Sequence, residues 1–208
     1  YDKMPDADFL KLGILTNGKL SRGTWLITIE MMGEKGKVRR NGKIVDSDIG
    51  EFEIKLSLDN NVSFKGVSIP WGDVSSAYYS TGISNIDVYL GLTPAAWRFR
   101  NSLKIIINSL INKSVNRFIQ KLISSFVTGP SEQQRNKTET IMWGTVSNNK
   151  GNELTEAYQT MEGYNLTALG ASEASIRVLN GEVEPGTKTP SMAFGSEFMD
   201  EYVIRKIK

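Results

Sequence analysis

Apolar and polar positions alternate with a period of two along several stretches of the chain, the pattern of half-buried β-strands. EFEIKLSL (51–58), VSFKGVSI (62–69) and NIDVYLGL (85–92) carry it. RGTWLITIEMM (22–32) adds β-branched and aromatic residues to an alternation and predicts a fourth strand. Asp59-Asn60-Asn61 lies between the first two and predicts a hairpin turn. GEKGKVRRNGK (33–43) reads as turn material with an Asn41-Gly42 hairpin signal. The opening DADFLKLGIL (6–15) predicts a short helix, with Asp6 or Asp8 as cap and Phe9, Leu10, Leu12 and Ile14 as its apolar positions.

The middle of the chain changes period. Pro94 is suited to a first helical turn, and residues 97–127 predict helix in one or two pieces. VNRFIQKLISSFV (115–127) places Val115, Phe118, Ile119, Leu122, Ile123, Phe126 and Val127 at spacings of three and four, and Gly129-Pro130 ends the run. TETIMWGTVSNNKGNELTEAYQTM predicts a hairpin with strands over 138–146 and 153–161. YNLTALGASEASIRVLNGE (164–182) predicts a helix closed by Asn180-Gly181, and a last short helix or strand covers about 196–207. Strands, helices, strands and helix in that order predict an α+β fold: a mostly antiparallel mixed β-sheet with helices packed on one face. The 208 residues suit one domain, and no run of about 18 apolar residues marks a membrane span.

Charge and composition narrow the chemistry. With 25 basic and 23 acidic residues the net charge is +2, which leaves no footprint for nucleic acid. The chain has no cysteine and no histidine. That excludes thiol nucleophiles, Ser-His-Asp triads and the usual zinc sites, so catalysis would fall to Asp, Glu, Lys, Tyr, Arg or a bound cofactor. No strand–GxGxxG–helix unit and no Walker loop is present, and MMGEKGK has the wrong spacing. The chain opens at Tyr1 without an initiator methionine or a signal-peptide pattern, and so reads as a piece of a longer protein.

Two stretches concentrate candidate chemistry. In WGDVSSAYYSTGISN, Asp73 is placed to cap a turn or short helix, Tyr78 and Tyr79 point to different faces, and Ser80-Thr81-Gly82 turns the chain into the next strand. Its polar groups serve either a well-bonded loop or a ligand site. In SRGT, Arg22 stands at the mouth of the predicted strand, where a guanidinium binds a carboxylate or phosphate through two parallel hydrogen bonds, or else pairs with a surface acid. The apolar face within 103–127 either covers the sheet or is left open for a partner subunit or a membrane surface.

The ordered set SRGT, IPWGDVSSAYYSTGISNIDVY, GP-x4-R, EGYNLTALGASEASIRVLNGE and GTKTPSMAFGSEF resembles the saccharopine dehydrogenase-like oxidoreductases, and more narrowly their trans-acting enoyl reductase-like branch. The resemblance runs from Tyr1 to about Phe198. YDKMPDADFL resembles the family's Gly-Phe-Asp-x-x-Pro-x-Asp turn, with Asp2, Pro5, Asp6 and Asp8 on or near its positions and the glycine absent.

The resemblance implies a two-domain protein in which an N-terminal Rossmann domain binds NAD(P) and a second domain serves substrate binding and dimerisation. Residues 1–208 correspond to that second domain alone. NAD(P) would then be bound mainly by the missing N-terminal domain, with Asp2, Pro5 and Asp6 on the cofactor side. The partners implied are a small-molecule substrate and a second copy of the chain, with no nucleic acid, and a membrane surface as a further option; the location implied is cytoplasmic. The site is expected where the 2–8 turn, the Arg22 strand entry and the 71–85 loop meet. There Arg22 and Thr24 would hold an anionic or carbonyl end, and Trp71 and a tyrosine would form apolar walls. Asp73, Ser80, Thr81 and Asn85 would orient the substrate, with Tyr78 or Tyr79 as proton donor. Members of the family act on an amino acid with several carboxylates or, in the other branch, on lipid-like enoyl groups. The alternative is a non-enzymatic ligand-binding or scaffolding domain that keeps the fold.

Overall fold

The computed structural model describes residues 3–32, 34–59, 62–102 and 113–207. The expected turn at 60–61 and the start of the long helix, 103–112, lie outside the described residues.

The strands form one mixed sheet: β1 (Phe9–Thr16), β2 (Gly36–Arg40), β3 (Lys43–Ser47), β4 (Glu53–Asp59), β5 (Val62–Ser68), β6 (Asn85–Gly91), β7 (Glu139–Ser147), β8 (Glu153–Met161) and β9 (Val203–Ile207). Its order is β3-β2-β6-β1-β7-β8-β9, and the β4–β5 hairpin joins through β5 to β6. The β1–β6 pair is parallel and every other pairing is antiparallel. The helices are α1 (Arg22–Met32), α2 (Asp73–Thr81), α3 (Pro94–Arg98), α4 (Lys113–Phe126), α5 (Glu132–Arg135), α6 (Gly163–Leu179) and α7 (Pro190–Phe194). The architecture is α+β.

Two elements differ from expectation. Residues 9–16 form the central strand, not a helix. Leu10, Leu12 and Ile14 alternate along one face of β1, and a strand between β6 and β7 needs that period of two on both of its faces. Arg22 to Met32 is a helix, not a strand. The Ser21 hydroxyl accepts the Thr24 N–H at 3.1 Å and so caps its first turn. Ile29 is then buried and its carbonyl accepts from Asn116 Nδ2 of α4 at 2.8 Å, so tertiary packing overrides the strand propensity of the segment. Gly36–Arg40, expected as turn, is strand β2, and the Asn41-Gly42 turn after it has φ of 50° and 76°, the left-handed pair that a two-residue hairpin requires.

The two faces of the sheet are covered differently. On one, Leu10, Ile86, Val88 and Val146 pack against Val74 of α2 and Ile83, and the α1 and α6 starts flank them. On the other, Phe64, Tyr89, Trp143, Ala157 and Ile207 make a second core closed by the curl of β4 and β5. Trp143 lies across β1 so closely that a Cβ on Gly13 would come within 2.2 Å of its indole nitrogen. Arg40 forms an ion pair at 2.7 Å with buried Asp87 on this face. Burial, reinforced by that carboxylate, pushes the Tyr89 phenol well up.

The topology decides where loops converge. β8 runs parallel to β1 and β6, because each is separated from β7 or joined to β1 in that sense. Their carboxyl ends therefore lie together, where the chain passes from β1 into α1 and from β8 into α6, and the end of β5, paired antiparallel with β6 at Ser68–Tyr89, brings the start of α2 alongside. In open sheets with parallel strands, ligands favour that end.

Candidate functional site

A cavity opens at those carboxyl ends, on the helix-covered face. It has two compartments that share Thr24 and Trp71 as walls. The larger, about 400 Å³, is lined mainly by Ile27, Met31, Ile49, Ile69, Trp71 and Leu90. The smaller, about 190 Å³, carries the polar groups Thr24, Thr140, Glu162 and Tyr164, with Ile14 and Leu20 beside them.

Each polar group is placed by an element end. Thr24 sits in the first turn of α1 and Thr140 at the start of β7. Glu162 precedes α6, and its Oε2 accepts from the Tyr164 and Asn165 N–H groups at 3.0 and 3.1 Å. That cap fixes the first turn of α6 and aims Tyr164 at α1. The Tyr164 oxygen accepts the Ser21 N–H at 2.7 Å and lies 2.7 Å from Thr24 Oγ1, which in turn lies 2.9 Å from Ser21 Oγ. Outside the cavity, Arg135 locks the same corner, donating to Asn165 Oδ1 at 3.1 Å and to the Pro130 carbonyl at 3.0 Å.

The proton count within this cluster is informative. Ser21, Thr24 and Tyr164 hold three hydroxyl protons, but only two oxygen–oxygen contacts consume them. One O–H of the cluster is left to donate; when Ser21 donates to Thr24 and Thr24 to the Tyr164 oxygen, which also accepts the Ser21 N–H, it is the phenol proton. Across the same compartment Thr140 is wholly buried, and its Oγ1 has no hydrogen-bond partner. A buried hydroxyl without a partner costs about 1–3 kcal/mol. Two unspent groups thus line one small cavity, an arrangement that holds a carbonyl or hydroxyl oxygen.

The residues expected to form one cleft fall into two groups. Thr24 and Trp71 line the cavity. Arg22, two residues before Thr24, heads α1 with an exposed side chain that donates to the Ser124 carbonyl at 3.5 Å. Asp73 is in the first turn of α2 without capping it, and burial raises its carboxyl above the ordinary value. The others lie at the opposite end of the sheet, since β1 spans roughly 23 Å and α2 runs back along β6. Tyr78 packs against the Arg39 guanidinium at 4.3 Å. Tyr79 is 71% exposed. Ser80 meets Thr189 at 2.9 Å, and Thr81 donates to the Ala77 carbonyl at 2.7 Å. Asn85 accepts from Asn41 N–H and donates to the Asp8 carbonyl. Asp6 accepts from Lys150, whose ammonium holds its carboxyl below the ordinary value, and from Asn148, which adds to it. Pro5 is exposed beside it, and Asp2 lies outside the described residues. Tyr164, Glu162 and Thr140 were not singled out from the sequence; the signal for the first two was EGYN, a carboxylate followed by the start of a helix.

Neither the start of α6 nor the β1–α1 connection fits the diphosphate of a dinucleotide. The free amides at the start of α6 already point at the Glu162 carboxylate, which would repel a phosphate, and α1 follows β1 with Gly18 as the only glycine in the connection. No group of three acidic residues among the described residues converges to hold a metal ion. None of the described helices is long and apolar enough to cross a membrane.

No protein-family model matches the chain, and no curated protein matches it. Among solved structures its fold is similar to that of a dehydrogenase. That structure is the apo, histidine-tagged saccharopine dehydrogenase (L-Glu forming) of Saccharomyces cerevisiae, in which 97% of this chain covers 67% of the other with a TM-score of 0.56. The two sequences are 9% identical, so the likeness is one of fold.

Proposed function

We propose that the chain is the substrate-binding part of a saccharopine dehydrogenase-like, NAD(P)-dependent oxidoreductase. The cavity between α1, α2 and α6 is its substrate site. The observation that carries this reading is the coincidence of two facts. The fold follows that of a dehydrogenase along almost its whole length, and a cavity bordered by a hydroxyl cluster with one proton to spare opens at the carboxyl ends of its parallel strands. The cofactor would be held mainly by residues outside those described, since neither the start of α6 nor the β1–α1 connection seats its diphosphate. Within the cavity, Thr140 and Tyr164 hold the reacting oxygen, Thr24 and Ser21 fix the direction of the Tyr164 hydroxyl, and Trp71 limits access of water. Tyr164 supplies or takes the proton at that oxygen.

In the complete gene product, NADH or NADPH should be oxidised in the presence of a carbonyl substrate, and Tyr164→Phe should lower turnover at least about 10-fold, some 1.4 kcal/mol of transition-state stabilisation. A complete protein that neither binds nor oxidises either nucleotide contradicts the assignment.

A further inference from the structure

The shape and lining of the cavity specify a substrate class. We propose that it takes an unbranched aliphatic molecule with a single oxygen-bearing head, a long-chain aldehyde or alcohol, and not an amino acid with several carboxylates. This rests on the cavity being the substrate site.

The head belongs in the smaller compartment. The unpartnered Thr140 hydroxyl and the spare proton of the Tyr164–Thr24–Ser21 cluster are the two hydrogen-bonding capacities that this compartment offers an oxygen-bearing head. A carboxylate is poorly served there. The Glu162 carboxylate borders the compartment, and among the described residues its wall carries a single cation, Lys19, one of whose donors is taken by Thr128 Oγ1 at 3.2 Å, so several carboxylates would not all find a partner. Arg22, the nearest other cation in sequence, turns to the Ser124 carbonyl instead.

The tail belongs in the larger compartment. Among the described residues its wall carries no ionisable side chain. Its two hydroxyls are already engaged, Thr28 with the Thr24 carbonyl and Thr24 with Tyr164. Ile27 is 59% exposed, and Met31 and Trp71 are exposed with it. Three large apolar side chains at the mouth of an apolar cavity are the surface that a hydrocarbon chain would remove from water. A second or third carboxylate in that compartment would be desolvated without a partner.

The test is isothermal titration calorimetry of the complete gene product with hexan-1-ol, octan-1-ol, decan-1-ol and saccharopine. The alcohols should bind with affinity rising about fourfold per added methylene, and saccharopine should show no heat above dilution. Thr140→Val should weaken all three alcohols by a common factor. Ile27→Lys should cut decan-1-ol affinity more than about 10-fold, while Ile44→Lys, an exposed apolar site on β3, should leave it unchanged. Circular dichroism melts of the three variants check that each is folded. Saccharopine binding with no response to the alcohols would overturn the substrate class and leave the location of the site standing. Alcohol binding indifferent to both Ile27→Lys and Thr140→Val, or no binding of any probe, would overturn the location as well.

Discussion

The two ends of the β1–β6 pair hold polar residues of the same kinds and use them in opposite ways. At the amino end, Asn85 bridges Asn41 and Asp8, Thr81 bridges Ala77 and Ile83, and Asp6 is held by Asn148 and Lys150. Buried Arg39 donates to the Val74 and Gly42 carbonyls beneath Tyr78. At the carboxyl end, Thr140 is buried without a partner and the Tyr164 cluster has a proton to spare. Groups that satisfy one another build a fold. Groups left unsatisfied beside a cavity are a cost to stability that a ligand relieves.

The contrast can be broken at either end. The largest effect should come from Arg39→Leu, which removes two charge-assisted hydrogen bonds and the support under Tyr78, and should lower stability by about 3 kcal/mol in urea unfolding. Ligand binding per folded molecule should stay as in the wild type; a variant that keeps its stability but loses binding would move the site to the amino end. A smaller effect of opposite sign is expected at Thr140. Thr140→Val keeps the shape of the side chain and removes an unpaired buried hydroxyl, so the variant should be about 1 kcal/mol more stable while binding ligand more weakly. A loss of stability there would mean that the hydroxyl has a partner within the fold.

Much of the fold was legible from short-range chemistry. The β4, β5 and β6 alternations, the β7–β8 hairpin and the α6 helix with its Asn180-Gly181 end all follow local rules, and Gly181 takes the φ of 75° that such an end requires. β1 and α1 were exchanged in type because their alternation is ambiguous alone. What decides them is largely non-local: β1 has neighbours on both sides, and α1, besides its local Ser21 cap, has α4 packed along it. The lining of the cavity was half legible for a related reason. Thr24 and Trp71 stand in motifs rich in polar and aromatic residues, and they do line the cavity. Tyr78 to Asn85 share the composition of a ligand loop, but α2 runs antiparallel to β6 and carries them to the far end. Tyr164 and Thr140 are distant in sequence from Thr24, and only the β1–β7–β8 register brings them together.

The measurement that bears most directly on this division is hydrogen–deuterium exchange of the complete gene product with and without saturating ligand, decan-1-ol or saccharopine as the calorimetry selects. The account predicts slowed exchange in residues 16–28, 69–73, 138–140 and 162–168, with 3–8 and 78–85 unchanged. Protection confined to 3–8 and 78–85 would contradict it.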